Sequence, residues 1–235
     1  MTPTPDEHIQ DHDHPGPVWR ALQGLAGLAT RVFWQLQVRG LENIPAHGGV
    51  LVISNHQSFA DPVLLAIRPK RPFAYMAASY LFKFKPLGWL ITSLNAFPVQ
   101  QGKGDIGAIK ETIRVLKEGW VLTIFPEGKR TFDGKLDAIQ PGAALTVRRA
   151  KVPVVPAIIV GAFEAFPRQN MFPKPGIVRI IYGKPMDLHH LSGDEIVAIM
   201  SRTLEQMFAE ATAWRNETVK PTAEAELPDG NYATA

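Results

Sequence analysis

The sequence predicts an α/β domain of three layers, a mostly parallel sheet flanked by helices, preceded by an N-terminal amphipathic membrane-interface helix. Three observations carry this expectation. Short β-branched apolar runs, Val50–Ile53, Trp120–Phe125 and Val152–Val160, have the continuous hydrophobicity of parallel strands buried on both faces. Between them lie segments whose apolar residues recur at helical spacing, so strand and helix alternate along the chain. With 235 residues and 46% hydrophobic content the chain can bury one sizeable core, and no internal repeat or second domain is visible.

From Val18 to Val38, apolar residues recur at Val18, Leu22, Leu25, Ala29, Val32 and Leu36, with Arg20, Gln23 and Arg31 on the other side. Trp19, Phe33 and Trp34 beside arginines suit a helix in a membrane interface, and packing on the protein's own core is the competing use of the same pattern. Val50–Ile53 then forms a buried strand that delivers Asn55, His56 and Asp61 into the loop beyond its carboxyl end, where open α/β sheets bind ligands. Asp61 followed by Pro62 reads as an N-cap with proline at the first helical position, opening a helix through Ile67. In such a turn the Asp61 carboxylate can orient the His56 imidazole as a base-positioning partner.

Phe73–Ala78 reads as a second strand. The segment Tyr80–Leu94 mixes Phe82, Trp89 and several leucines with Lys83 and Lys85, which fits a peripheral membrane contact or a buried helix pair. Asn95–Val99 is a short strand, and Asp105 caps a helix whose core face is Ile106, Ile109, Ile113 and Leu116. Gly102-Lys103-Gly104 lacks the GxxxxGK[ST] pattern of a nucleotide-phosphate loop, which excludes nucleotide hydrolysis of that kind. Trp120–Phe125 is a buried strand ending in Pro126-Glu127-Gly128-Lys129-Arg130. Sharing a sheet edge with the end of Val50–Ile53, it brings His56, Asp61, Glu127 and Arg130 into one cleft. A helix starts at Pro141. The prolines at 153 and 156 make Val152–Val160 an edge or irregular strand. Ile177–Tyr182 is the last strand, and Ser192-Gly193-Asp194-Glu195 is a capping box that opens the final helix.

The absence of cysteine excludes a disulfide framework, a thiolate nucleophile and a cysteine-ligated metal site. The net charge of +3 hides an asymmetry. Met1–His14 holds four acidic and no basic residues and Asn216–Ala235 four acidic and one basic, leaving 24 Lys+Arg against 14 Asp+Glu between them, a body of +10. Such a body suits an anionic partner: a membrane surface, a phosphorylated substrate or nucleic acid. No nucleic-acid reader motif appears, and the basic residues are spread along the chain, so nucleic acid is not expected. No run of 18 apolar residues and no secretory leader is present, so the protein is expected to stay on the inner side of the membrane. His8, His12 and His14 in the polar start are expected to form no specific metal site.

Asn55-His56 through Asp61 forms an NHxxxxD block, and three further blocks follow it: Ala96-Phe97-Pro98-Val99-Gln100-Gln101-Gly102, Phe125-Pro126-Glu127-Gly128-Lys129-Arg130-Thr131, and Val152-Pro153-Val154-Val155-Pro156. In order and spacing the four blocks, covering roughly residues 30 to 190, resemble the glycerolipid acyltransferases typified by 1-acylglycerol-3-phosphate acyltransferase. The resemblance implies transfer of a fatty acyl group from acyl-CoA or acyl carrier protein to the free hydroxyl of a lysophospholipid, 1-acylglycerol-3-phosphate first, on an anionic membrane surface. His56 would be the base and Asp61 its partner; Asn55, Glu127, Gly128, Lys129 and Arg130 would hold substrate. No metal or cofactor is implied. Phosphatidate-forming members commonly carry an arginine in the second block where this chain has Gln101, so Lys103 or Arg130 would supply the phosphate's counter-charge, or the acceptor would be another lysolipid such as an ornithine-lipid precursor. A thioesterase or lysolipid hydrolase, and a non-catalytic anionic-membrane module, are the rival functions. Direct transfer is favoured over a covalent acyl-enzyme, because neither a cysteine nor a GxSxG elbow is present. The expected organisation is a disordered acidic, histidine-rich start (1-17), the interfacial helix (18-39), the acyltransferase domain (40-215) and a disordered tail (216-235). The expected location is the inner membrane, peripheral or monotopic on its cytoplasmic face.

Overall fold

The computed structural model describes residues 17–99, 106–167 and 172–219. Seven strands form one sheet in the order β1-β7-β6-β2-β5-β3-β4, namely β1 (Gln37–Arg39), β2 (Val50–Ser54), β3 (Phe73–Ala78), β4 (Ala96–Val99), β5 (Val121–Ile124), β6 (Val154–Val160) and β7 (Arg179–Tyr182). Every neighbouring pair is parallel except β6 with β7. Helices cover both faces, as the alternating sequence predicts. On one face α1 (Pro17–Phe33) and α2 (Asp61–Ala66) lie over the side chains of Val50, Val52, Tyr75 and Tyr182. On the other, α4 (Ile106–Lys117), α5 (Pro141–Ala150) and α7 (Gly193–Val219) cover Leu51, Ile53, Leu122 and Ile158. Two short helices complete the fold, α3 (Lys85–Ser93) before the edge strand β4 and α6 (Ala162–Ala165) after β6.

Central placement of β2, between β5 and β6, follows from its five fully buried residues, which need neighbours on both edges and both faces. Its carboxyl end therefore opens at the middle of the sheet, where the loops after β5 and β6 also emerge. The capping box forms as read: Ser192 Oγ accepts from the Glu195 N–H at 3.3 Å, and the Glu195 carboxylate accepts from the Ser192 N–H at 2.9 Å. The final helix runs to Val219, four residues into the tail predicted to be disordered. The chain ends beyond the described residues, including the histidine-rich start, and the Gly102–Asp105 segment fall outside them.

Two expectations need correction. The first helix ends at Phe33 rather than continuing to Arg39: Gln35 takes a left-handed φ of 40° and Gln37–Arg39 pairs with Arg179–Ile181 as the edge strand. Strand pairing at an open sheet edge outweighs continuation of the helical period. The other concerns β6, which is an interior strand despite its prolines. Pro156 is tolerated because its missing N–H would point toward β7, where pairing is already irregular between the Val154–Met186 bridge and the Ala157–Tyr182 pair. Its carbonyl is met there by the Gly183 N–H at 2.8 Å. A Cβ on Gly183 would stand 2.8 Å from the Pro156 ring, so the glycine is what lets the proline sit inside the sheet.

Candidate active site

The loop between β2 and α2 folds around one carboxylate. Asp61 is fully buried, and its Oδ2 accepts from His56 Nδ1 at 2.8 Å and from the backbone N–H groups of Gln57 and Ser58 at 2.6 and 2.7 Å. Asp61 is thus not the N-cap that its Asp-Pro sequence suggested. It is the first residue of α2, and its side chain turns back to three donors behind it. A carboxylate only accepts, so His56 Nδ1 is the donor of this pair, and Nε2 is left to meet another partner. The imidazole is 18% exposed and stacks on Phe125 with ring centroids 3.8 Å apart and planes 12° from parallel.

The loop after β5 holds the same histidine from the other side. Glu127 Oε1 accepts from the His56 N–H at 3.2 Å, and the Thr131 N–H donates to the His56 carbonyl at 2.8 Å. Glu127 Oε2 accepts from the Asp137 N–H at 3.3 Å. Burial pushes the Glu127 carboxyl up to about 7, against the lowering effect of the His56 and Asp137 N–H groups; Asp137 and Asp61 add smaller repulsions that raise it. From β6, the Asn55 amide grips Ile159 twice, donating to its carbonyl at 2.9 Å and accepting from its N–H at 2.8 Å. Gln57 donates to the Gly134 carbonyl, and Ser58 donates to that of Phe166.

His56 and Arg130 stand on the rim of a cavity of about 470 Å³. Its walls are apolar: Val63 and Ile67 from the α2 region, Ala77 from β3, Leu87 from α3, Ala96 from β4 and Trp19 from α1. Tyr75 lines it too, with its phenol pushed well above the ordinary range by burial and so held neutral. Beside the rim, the Arg130 guanidinium lies 3.3 Å over the Phe59 ring. An imidazole, a guanidinium and apolar walls therefore share one cavity.

Residues 35–160, which contain the loops after β2 and β5 and the strand β6, match the family model described as Acyltransferase. The chain belongs to the acyltransferase family. It is 32% identical over 180 residues to the 1-acyl-sn-glycerol-3-phosphate acyltransferase of Bacillus subtilis, covering 74% of this chain and 87% of that one. A chloroplastic 1-acyl-sn-glycerol-3-phosphate acyltransferase of Arabidopsis thaliana is 28% identical over 165 residues, which cover 68% of this chain but 46% of the plant protein, so the chain spans about half of that relative. The crystal structure of the 1-acyl-sn-glycerophosphate (LPA) acyltransferase from Thermotoga maritima matches with a TM-score of 0.70 at 27% identity, over 82% of this chain and 79% of that one.

Within this acyltransferase, the residues expected from sequence meet different fates. His56 and Arg130 line one cavity, with Asp61 buried behind the histidine and bonded to it, as expected from the shared strand edge. Asn55 and Glu127, expected to hold substrate, are 1% and 2% exposed with their polar atoms bonded to the backbone, so neither presents a side chain to a ligand here. Gly128 shapes the turn at φ 72°, and Lys129 pairs with Asp137 at 3.3 Å on the surface. Gln101 and Lys103 lie outside the described residues. Of the interface candidates, Phe33, Lys83, Lys85 and Trp89 are exposed, and Phe82 is half-buried. Trp34 is half-buried, donating from its indole to the Lys174 carbonyl at 2.9 Å. Trp19 is only 3% exposed and walls the cavity, so its ring packs inward instead. Sequence reasoning missed Phe125, Gln57, Ser58 and Thr131; their partners are distant in the chain and leave no local signal.

The raised carboxyl of Glu127 has a signed consequence for stability. Its folded-state value of about 7 exceeds the ordinary 4.5, so the folded chain holds the proton between those values; the stability it contributes below pH 4.5 is lost as pH rises through 7. Thermal unfolding of the wild type should show this loss between pH 5 and 8 as a falling Tm component on the order of the linkage slope, and Glu127→Gln should flatten it whatever its absolute stability. Parallel pH curves for the two proteins would show that Glu127 does not titrate in this range.

Proposed function

We propose that this acyltransferase moves a fatty acyl group from a thioester, carried by CoA or acyl carrier protein, to the free hydroxyl of 1-acylglycerol-3-phosphate, giving phosphatidate. One observation carries the reading: a histidine with Nδ1 fixed by a buried carboxylate sits at the mouth of an apolar cavity with an arginine beside it. His56 Nε2 takes the acceptor hydroxyl's proton as the oxygen attacks the thioester carbonyl, a contribution of about 10²- to 10⁴-fold for a well-placed base. Asp61 stabilises the imidazolium that forms, and the leaving thiolate recovers the proton from it when the tetrahedral intermediate collapses. The cavity takes the acyl chain, and Arg130 faces the acceptor's phosphate. The names of the bacterial and plant relatives support lysophosphatidate as the acceptor.

The same reading places the protein on the cytoplasmic face of the inner membrane, held peripherally. Among the described residues no helix is long and apolar enough to cross a bilayer. Leu25, Leu28, Val32 and Phe33 on α1, and Tyr80, Phe84 and Trp89 before and within α3, are nonetheless exposed, with Lys83 and Lys85 beside them.

Three measurements test this. With a mixed lysolipid panel and an acyl thioester, mass spectrometry should find phosphatidate as the main product, and folded His56→Ala should lose at least about 10²-fold in turnover. Thioester loss without any acylated lipid would instead make the chain a hydrolase. For the cavity, Ala96→Leu narrows one wall, so kcat/KM should fall for long acyl donors while short ones are spared; an equal loss across lengths would put the chain elsewhere. For the surface, the protein should sediment with anionic vesicles less well as salt rises, since screened lysine contacts contribute only about 1 kcal/mol each. No sedimentation at any salt concentration would sink the membrane placement.

A further inference from the structure

Glu127 belongs to the sequence block whose resemblance assigns it to the acceptor, yet its surroundings leave no room for that role. The side chain is 2% exposed and takes no part in lining the cavity, while His56 and Arg130 both do. A carboxylate could recognise a glycerol hydroxyl by accepting from it, but each Glu127 oxygen already accepts a backbone N–H, Oε1 from His56 and Oε2 from Asp137. Reaching the acceptor would mean breaking one of these bonds and opening the loop.

We infer that Glu127 is a positioning residue for His56, acting on the base through its backbone rather than on the substrate. This rests on the reading of His56 as the general base. Three contacts from the β5 loop hold the histidine at separate points: Phe125 under the ring at 3.8 Å, Thr131 on the carbonyl at 2.8 Å and Glu127 on the N–H at 3.2 Å. Asp61 sets the ring's rotation from the α2 side and, through the Gln57 N–H, holds the peptide that follows His56, but makes no bond to the His56 N–H. Glu127 holds that N–H, in the peptide that precedes the residue, so the backbone is fixed on both sides of His56 and translation toward or away from the cavity is restrained. Through Oε2 the same carboxyl ties the His56 peptide to Asp137, at the far end of the β5 loop. A shift of about 1 Å in a catalytic group costs on the order of 10²-fold in rate.

The test compares Glu127→Ala and Glu127→Gln with the wild type, using lysophosphatidate as acceptor and an acyl-CoA as donor. Glu127→Ala should lower kcat about 10²-fold, the size expected for a misplaced base, with both KM values near wild type. Glutamine keeps an oxygen that can accept from the His56 N–H, so Glu127→Gln should recover a large part of the lost kcat, although its charge is gone. The downfield proton resonance of His56 Nδ1–H should remain sharp in Glu127→Gln and broaden in Glu127→Ala. A rise in acceptor KM of tenfold or more at unchanged kcat, in either variant, would make Glu127 an acceptor ligand and overturn the inference. If Glu127→Ala does not fold, the glutamine variant decides alone: near-normal KM with kcat reduced by less than tenfold supports positioning, while a loss confined to acceptor KM refutes it. His56→Ala in the same assay separates the two levels, because retained turnover there would remove the base itself and the inference with it.

Discussion

One oxygen of Asp61 gathers three N–H groups from the five residues before it, and the loop that carries His56 is built around that buried oxygen. A carboxylate with no exposure must replace its water shell with donors. Two come from backbone N–H groups that a tight loop would otherwise leave unmatched, and the third from the histidine ring. Charge-assisted bonds of this kind are about twice as strong as neutral ones. The loop is thus wrapped by the same interaction that orients its histidine ring, so loop geometry and ring orientation cannot vary independently.

A loop so organised would still drift as a unit if nothing tied it to the sheet. The ties come from the neighbouring strands: Asn55 grips Ile159 of β6, Glu127 and Thr131 hold the His56 peptide from the end of β5, and Ser58 bonds to Phe166 just beyond α6. Such convergence is available only where parallel strands end side by side, and β2 is central because its five residues are buried throughout. Burial of an apolar strand and precision at His56 are here one fact about sheet topology.

The strands were legible because parallel strands buried on both faces need unbroken β-branched runs, and Val50–Ile53 and Trp120–Phe125 supply them. The His56 and Asp61 spacing was legible because five residues suffice to close a turn. What could not be read was the partner of each polar side chain. Asn55 lies 104 positions from Ile159 and Glu127 lies 71 from His56, and nothing local distinguishes a buried amide or carboxyl that braces the backbone from one that meets a substrate. Pro156 misled for a related reason: its tolerance is decided by Gly183, just past the end of β7. The N-terminal helix carried an ambiguity that periodicity does not resolve, since one amphipathic pattern fits a membrane interface and a core equally well.

That ambiguity dissolves once both sides of the helix are considered together. Trp19, Gln23 and Ala26 of α1 form part of the cavity wall, with Gln23 tied by hydrogen bonds to the carbonyls of Ala66 and Pro69, while Leu25, Leu28 and Val32 stand in the open on the opposite side. Helix α3 repeats the arrangement, with Leu87 and Ile91 inward and Trp89 outward. Two walls of the cavity are therefore single helices thick, apolar on both surfaces. If their outer surfaces rest in lipid, an acyl chain can pass from bilayer to cavity without exposing its methylenes to water, each of which would cost about 0.8 kcal/mol. On that condition core helix and membrane helix would be one helix, its inner side walling the cavity and its outer side facing lipid.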